Sequence, residues 1–404
     1  RDDISCLVGS EMCIRDRSIG LLAAVLLCLG FGVTAQAFHD GGVAHCDGCH
    51  TMHNSEDGQS IIEGGEVGVT GDSLTKGTDP SSTCLVCHEG TGYYHVLSPT
   101  ATITNLTPGG DFQWLKKTFT WTVRGNPVTR KGESFGHNII AADYGLVQDS
   151  VLEKAPGGEF QSAWLACSSC HDPHGKKVDK IGPIAESGSY GAQPTATTDV
   201  GNFRLLADIG YMPGPGVQYN VRPPIARTDF FRSAGESDTR HTDYGKGMSE
   251  WCATCHTKFL AGGKGEHKHP AANTATLGQG NIALNYSAYV ATGDLSGSAD
   301  DSYDQFVPFE RQIDSTADLD ETSAQGPNSS SNVMCLSCHR AHVSAFPNAG
   351  RWDFETEFLV DSHPKDTDAG AAPGDELASY YGSTITARYN EVQRILCNKC
   401  HIQD

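Results

Sequence analysis

Six copies of Cys-x-x-Cys-His carry the chemical content of this chain: Cys46/Cys49/His50, Cys84/Cys87/His88, Cys167/Cys170/His171, Cys252/Cys255/His256, Cys335/Cys338/His339 and Cys397/Cys400/His401. A structural zinc site needs paired Cys-x-x-Cys units closing a four-ligand shell, and a dithiol exchange site needs a single pair. Neither explains a histidine after every pair. The spacing fits covalent attachment of c-type haem. The two thiols form thioethers to one porphyrin, and the adjacent imidazole meets the iron from the same side. The sequence therefore predicts six c-type haems, held by the twelve cysteines and ligated proximally by His50, His88, His171, His256, His339 and His401.

Each iron then needs a second axial ligand. Eleven of the 17 histidines lie outside the proximal set: His39, His45, His53, His95, His137, His174, His241, His267, His269, His342 and His363. Methionine is scarce beyond the leader, with only Met52, Met212, Met248 and Met334. Two histidines per iron saturate the metal and lower its potential relative to His/Met ligation. Such a centre passes electrons but binds no substrate.

Three units extend to Cys-x-x-Cys-His-x-x-His, which adds His53, His174 and His342. Residues three apart on a helical turn are neighbours about 5–6 Å apart. The second histidine cannot reach the far side of the same porphyrin, so it is expected to ligate the iron of a different haem. His137 is a further distal candidate, because the preceding Gly136 admits close backbone approach to a porphyrin. His95, His269 and His39 complete the distal set. His45, His241, His267 and His363 stand among polar or acidic neighbours and read as solvated surface residues.

The elements that position these groups are expected to be short. Helical turns are predicted around each unit, with a strand pair or edge strand in Phe112–Arg124. A helix over Ala387–Cys397 would place Tyr389, Val392 and Leu396 on one face. Pro173–Pro224 reads as irregular, and the acidic Gly293–Ser331 as a solvated loop. First-cysteine spacings of 38, 83, 85, 83 and 62 residues hint at a repeated build, although the intervening sequences are unlike one another.

The leader reads separately. Residues 1–17 resemble translated sequencing adapter. Residues 18–37 read as a signal peptide, with the apolar run Ile19–Val33 ahead of Ala35-Gln36-Ala37. Residues 38–404 then form a single hexahaem domain with no membrane span. All twelve of its cysteines fall in the six units, which leaves no thiol for a structural disulfide. The chain carries a net charge of −20, which argues against a nucleic-acid partner. Apolar content is low at 38%. Porphyrins are therefore expected to serve as the hydrophobic core, with Tyr93, Tyr94, Trp251, Tyr380 and Tyr381 against their edges.

The segments Phe38–Asn54, Gly136–Ile139, Cys167–Lys176, Gly247–Thr257, Asn332–His342 and Leu396–His401 occur in order along the chain. Together they resemble the OmcS-type hexahaem c-type cytochromes, outer-surface proteins of metal-reducing bacteria. The resemblance implies a multihaem cytochrome c fold: mostly irregular loops with short helices and few strands, wrapped around a continuous haem stack. It also implies bis-His ligation throughout and a head-to-tail homopolymer. In that polymer His53 would ligate the Cys335/Cys338/His339 haem of the neighbouring subunit.

The resulting expectation is a secreted electron conduit at the outer cell surface, exchanging electrons with other cytochromes and extracellular acceptors. It is not expected to be an enzyme. Two alternatives are a monomeric periplasmic or surface shuttle and a multihaem oxyanion reductase. The second needs an iron with an open or unusual ligand, and all six units here end in histidine.

Overall fold

Two sulfurs three residues apart reach the same side of the chain only where the backbone turns helically, and the attachment cysteines are accordingly found on short helical pieces. The computed structural model describes residues 46–51, 55–56, 59–60, 74–91, 95–99, 106–173, 203–228, 236–261, 270–383, 385–392 and 394–401. The first unit begins on α1 (Cys46–Cys49), the second closes α2 (Pro80–His88), and the third begins on α3 (Cys167–Cys170). The fourth opens at the end of α4 (Met248–Cys252) and the fifth on a 3-10 turn, Cys335–Ser337. α5 (Thr257–Ala261), α6 (Ile282–Ala288), α7 (Asp375–Ser379) and α8 (Ile385–Tyr389) follow, and α9 (Arg394–Asn398) carries the sixth unit. The best capped of these helices is α2. The Asp79 side chain accepts the Ser82 N–H, and Pro80 supplies a preset first turn.

Strands are few. The described residues hold three two-stranded antiparallel sheets: β1 (Ser55–Glu56) with β2 (Gln59–Ser60), β3 (Thr118–Val123) with β4 (Asn126–Lys131), and β5 (Ile225–Thr228) with β6 (Thr242–Lys246). The β3–β4 hairpin turns through Arg124 and Gly125, both at positive φ (49° and 85°), the geometry of a type I′ turn. Of the strand pair or edge strand expected in Phe112–Arg124, one strand, β3, is present; its partner β4 lies beyond the segment, and Phe112–Lys116 forms a 3-10 turn ahead of it.

Side chains build more of the interior than the composition suggested. Trp114, Phe119, Phe135, Phe306, Phe346, Tyr286 and Tyr289 are all buried in one cluster. His363 sits inside this cluster, which corrects its reading as a solvated residue. Its ring is 4.3 Å from Trp121, 5.4 Å from Phe119 and 5.6 Å from Phe135. Its Nε2 meets Ala345 O at 2.9 Å, and Asp353 faces Nδ1 at 3.6 Å. Polar residues flank His363 in sequence, but the aromatic walls come from the distant β3–β4 hairpin and the 3-10 turn, Gly132–Phe135, that follows it.

His241 is corrected likewise. It is buried and stacks on Tyr303 at 3.6 Å, with the planes 14° apart. The Gly293–Ser331 segment is not a solvated loop throughout, because Tyr303, Phe306, Phe309, Leu319, Asp304 and Glu310 are all buried. The helix expected over Ala387–Cys397 is divided into α8 and α9. Asn390 adopts φ 75° between them, and Val392 pairs with Phe358 instead of continuing the helix.

Candidate haem-binding channel

One cavity of about 1230 Å³ passes the first five units. Its walls include Cys49, Cys84, Cys87, His88, Cys167, Cys170, His171, Cys252, Cys255, His256, Cys335, Cys338 and His339. This exceeds the roughly 300–1,000 Å³ of an ordinary small-molecule pocket. Apolar walls with attachment groups at intervals are what a row of large flat cofactors requires. The sixth unit is not among the lining residues, but Cys397 is close enough to Cys338 to influence its thiol electrostatically.

Two pairs of imidazoles cross this cavity. The rings of His171 and His342 lie 6.1 Å apart, and those of His137 and His256 also lie 6.1 Å apart. Two imidazoles bound to opposite sides of one metal, at bonds of about 2 Å, place their centroids roughly 6 Å apart. The residues therefore fit an iron between each pair.

Backbone carbonyls orient these rings. Nδ1 of His171 faces Arg204 O, that of His256 faces Pro156 O, and that of His339 faces Asn348 O, each at 2.8 Å. His137 does the same with Ala341 O at 2.8 Å, and His342 with Gly110 O at 3.3 Å. Donating Nδ1–H to a carbonyl leaves Nε2 as the lone-pair nitrogen, the tautomer that binds a metal. Burial and nearby His256 push His137 down to about 4, and burial and nearby His171 push His342 down to about 3. Both rings are therefore neutral at pH 7, as ligation requires.

His137 and His342 also hold each other. The His137 N–H donates to His342 O at 3.0 Å, and Gly136 pairs with Val343. A Cβ at Gly136, where φ is 153°, would lie 2.4 Å from His342 O. The glycine thus admits the Ala341–Val343 segment, rather than a porphyrin face as the sequence suggested. On its other side, His342 donates its N–H to Gly109 O at 2.6 Å and stacks on Phe112 at 5.0 Å.

The repeated build suspected from the spacing is visible here as a two-unit module. Ser81 Oγ accepts the Cys167 N–H at 3.1 Å, and Ser249 Oγ accepts the Cys335 N–H at 3.1 Å. Ser169 Oγ accepts the Ala166 N–H, and Ser337 Oγ accepts the Met334 N–H. The Cys84 and Cys167 sulfurs are within hydrogen-bond reach, as are those of Cys252 and Cys335. Every pair of equivalents is offset by 168 residues, and so are His174 and His342. The signal missed in the sequence was the recurrence of Ser-x-x-Cys-x-x-Cys-His at Ser81 and Ser249.

The remaining predicted groups divide as follows. His95 is buried, with Nε2 3.8 Å from Asp111 Oδ2. His39, His53, His174 and His269 lie outside the described residues, as do His45, His267, Tyr93 and Tyr94. Trp251 lines the cavity and stacks on Tyr219 at 5.1 Å. Tyr380 and Tyr381 do not line it: Tyr380 packs on Phe346, and Tyr381 lies beneath the Arg340 guanidinium.

No protein-family profile matches the chain. It is 40% identical to the C-type cytochrome OmcS of Geobacter sulfurreducens, over 96% of this chain and 98% of that protein. Among solved structures it resembles the Outer Membrane Cytochrome S filament of Geobacter sulfurreducens, with a TM-score of 0.76 and 37% identity, covering 91% of this chain and all of the other. A second structure, of the OmcS nanowires from the same organism, gives a TM-score of 0.75 at 38% identity, again over 91% and 100% of the two chains. With this likeness running nearly end to end, and with five of the six attachment units lining one cavity, the chain belongs to the OmcS family of multihaem c-type cytochromes.

Proposed function

We propose that the chain carries six bis-His haems and polymerises head to tail into an outer-surface filament that conducts electrons to extracellular acceptors. Bound haem supplies a one-electron centre at each unit. The protein fixes each centre covalently, orients both imidazoles and excludes water between neighbours. An iron held on both sides by histidine has no position for a substrate, so the chain transfers electrons and does not reduce an oxyanion.

The observation that carries this reading is the shared cavity crossed by His171–His342 and His137–His256. His342 follows the fifth unit and faces the third, two units back. The 168-residue module extends the same step to His174, which we assign to the first unit, opposite His50. His53 then has no unit two back in its own chain and is assigned to the fifth unit of a neighbouring molecule. Among the described residues, the aromatic ring packed on His339 is that of Phe354, at 5.4 Å. The nanowire assembly of the G. sulfurreducens relative supports the same reading.

The test is His53→Ala. The variant should retain six haems by intact mass yet appear as isolated particles by electron microscopy at micromolar concentration. Filaments formed by H53A would defeat the assignment. Isolated particles of the unaltered protein would favour a monomeric shuttle.

A further inference from the structure

Five polar side chains join the segments that enter the fourth and fifth units. Glu310 is wholly buried. One carboxylate oxygen accepts the Met248 N–H at 2.6 Å, and the other accepts Asn332 Nδ2 at 2.8 Å. Asn332 Oδ1 accepts from Gln312 Nε2, which also donates to Asn273 Oδ1 at 2.9 Å. The Asn273 N–H then donates to Glu250 Oε1 at 2.8 Å. The second oxygen of Glu250 is buried without a hydrogen-bond partner.

Two carboxyl groups therefore share one amide network, and among the described residues no lysine or arginine forms an ion pair with either. Ionising both in such a place is expensive, since burial and like charge each favour the protonated form. Burial is the main cause that raises Glu310, to about 7; the Asn332 and Met248 hydrogen bonds oppose it and Glu250 adds to it. The equivalent module needs no such arrangement. There the half-buried Asp79 caps its own helix locally, at 2.8 Å from the Ser82 N–H. The buried pair is thus not a requirement of the helix cap.

We propose that the Glu310–Glu250 network is a proton-binding site coupled to the arrival of electrons at the fourth and fifth units. Met248 lines the cavity four residues before Cys252, and Asn332 lies three residues before Cys335. The titratable groups facing Glu310 are Glu250 and Cys252 on α4 and Cys335 on the following segment. Both cysteines are thioethers once haem is attached, so of these protein groups only the two carboxyls titrate. Haem held at Cys252 and Cys335 would, on taking up an electron, add negative charge beside Glu310. Its carboxylate would then take one proton from a solvent hydronium, one O–H bond breaking as the other forms. Glu250, Asn273 and Gln312 are half-buried, so the network opens towards the surface.

The inference rests on haem being carried at Cys252 and Cys335, which intact mass tests separately. Potentials of the haem-loaded protein are then measured by spectroelectrochemistry from pH 5 to 9. The unaltered protein should show one or two potentials falling as pH rises, by up to about 59 mV for each tenfold loss of proton activity. A carboxylic acid infrared band should appear on reduction. Glu310→Gln, which keeps an acceptor for the Met248 N–H, should lose both signals while retaining six haems. If that variant fails to fold, Glu250→Gln decides: removing the like charge should move the sloping region to lower pH. An unchanged slope and band in E310Q, or an unmoved window in E250Q, would overturn the proposal. Missing haem at those cysteines would instead overturn the assignment beneath it.

Discussion

His342 stands opposite His171 at 6.1 Å, with the two ring planes 61° apart, although one follows the fifth attachment unit and the other closes the third. At His342 the Cys-His-x-x-His extension thus faces a unit two back in sequence. Replacing His342 with methionine should raise one midpoint potential, because His/Met ligation sits above bis-His. Five potentials should stay near their original values. Spectroelectrochemical titration reads this directly, and six shifted potentials would indicate general disruption instead.

Gly136 ties His342 to His137. Gly136→Ala would drive a Cβ to 2.4 Å from His342 O at a backbone angle that L side chains rarely adopt. A cost of more than about 1 kcal/mol is expected. Both imidazoles should shift together, so resonance signals from two haem centres should change at once. A change at one centre alone would contradict the shared clasp.

The two modules offer a matched comparison. Ser81→Ala and Ser249→Ala each strip an acceptor from a cysteine N–H held at 3.1 Å. Each should lower stability by about 1–2 kcal/mol, with similar losses in both, as expected for a part-buried N–H left unsatisfied. Urea unfolding of the haem-loaded variants measures it.

Acid sensitivity should trace in part to Asp353. Burial favours its neutral form, but the facing His363 imidazole and hydrogen bonds from the Thr356 hydroxyl and the Glu355 N–H outweigh that and hold the carboxyl below its ordinary 3.8. A depressed carboxyl gives stability that is complete above the unfolded value and lost as pH falls through the folded one. Asp353→Asn should therefore be less stable at pH 7 and lose less on acidification to about pH 2. Unfolding midpoints across that range test the sign.

The attachment units and the outline of a loop-rich chain were legible because thioether chemistry demands a fixed local spacing. The pairing of imidazoles was not, since it depends on where distant turns meet. His342 reaches His171 only because Gly109, Gly110 and Phe112 receive it, and nothing near position 342 names those residues. His363 misled for the same reason: Asp361, Ser362, Lys365 and Asp366 surround it in sequence, while Trp121 and Phe119 enclose it in space. His241 is hidden likewise by Tyr303. Fine-grained repetition was readable at Ser81 and Ser249, but only by comparing the approaches to the units rather than the long stretches between them.

The 168-residue module has a geometric consequence. A histidine lent two units backwards is a translation, and a translation applied to a finite row always leaves one lender unmatched at the front and one borrower unmatched at the rear. On the ligation proposed here, these are His53 and the fifth unit. Assembly then requires no separate docking motif: adding a subunit repeats the step that already orders the interior. The boundary between molecules becomes one more interval in a row, and an electron crossing it meets the same coordination that it meets inside the chain.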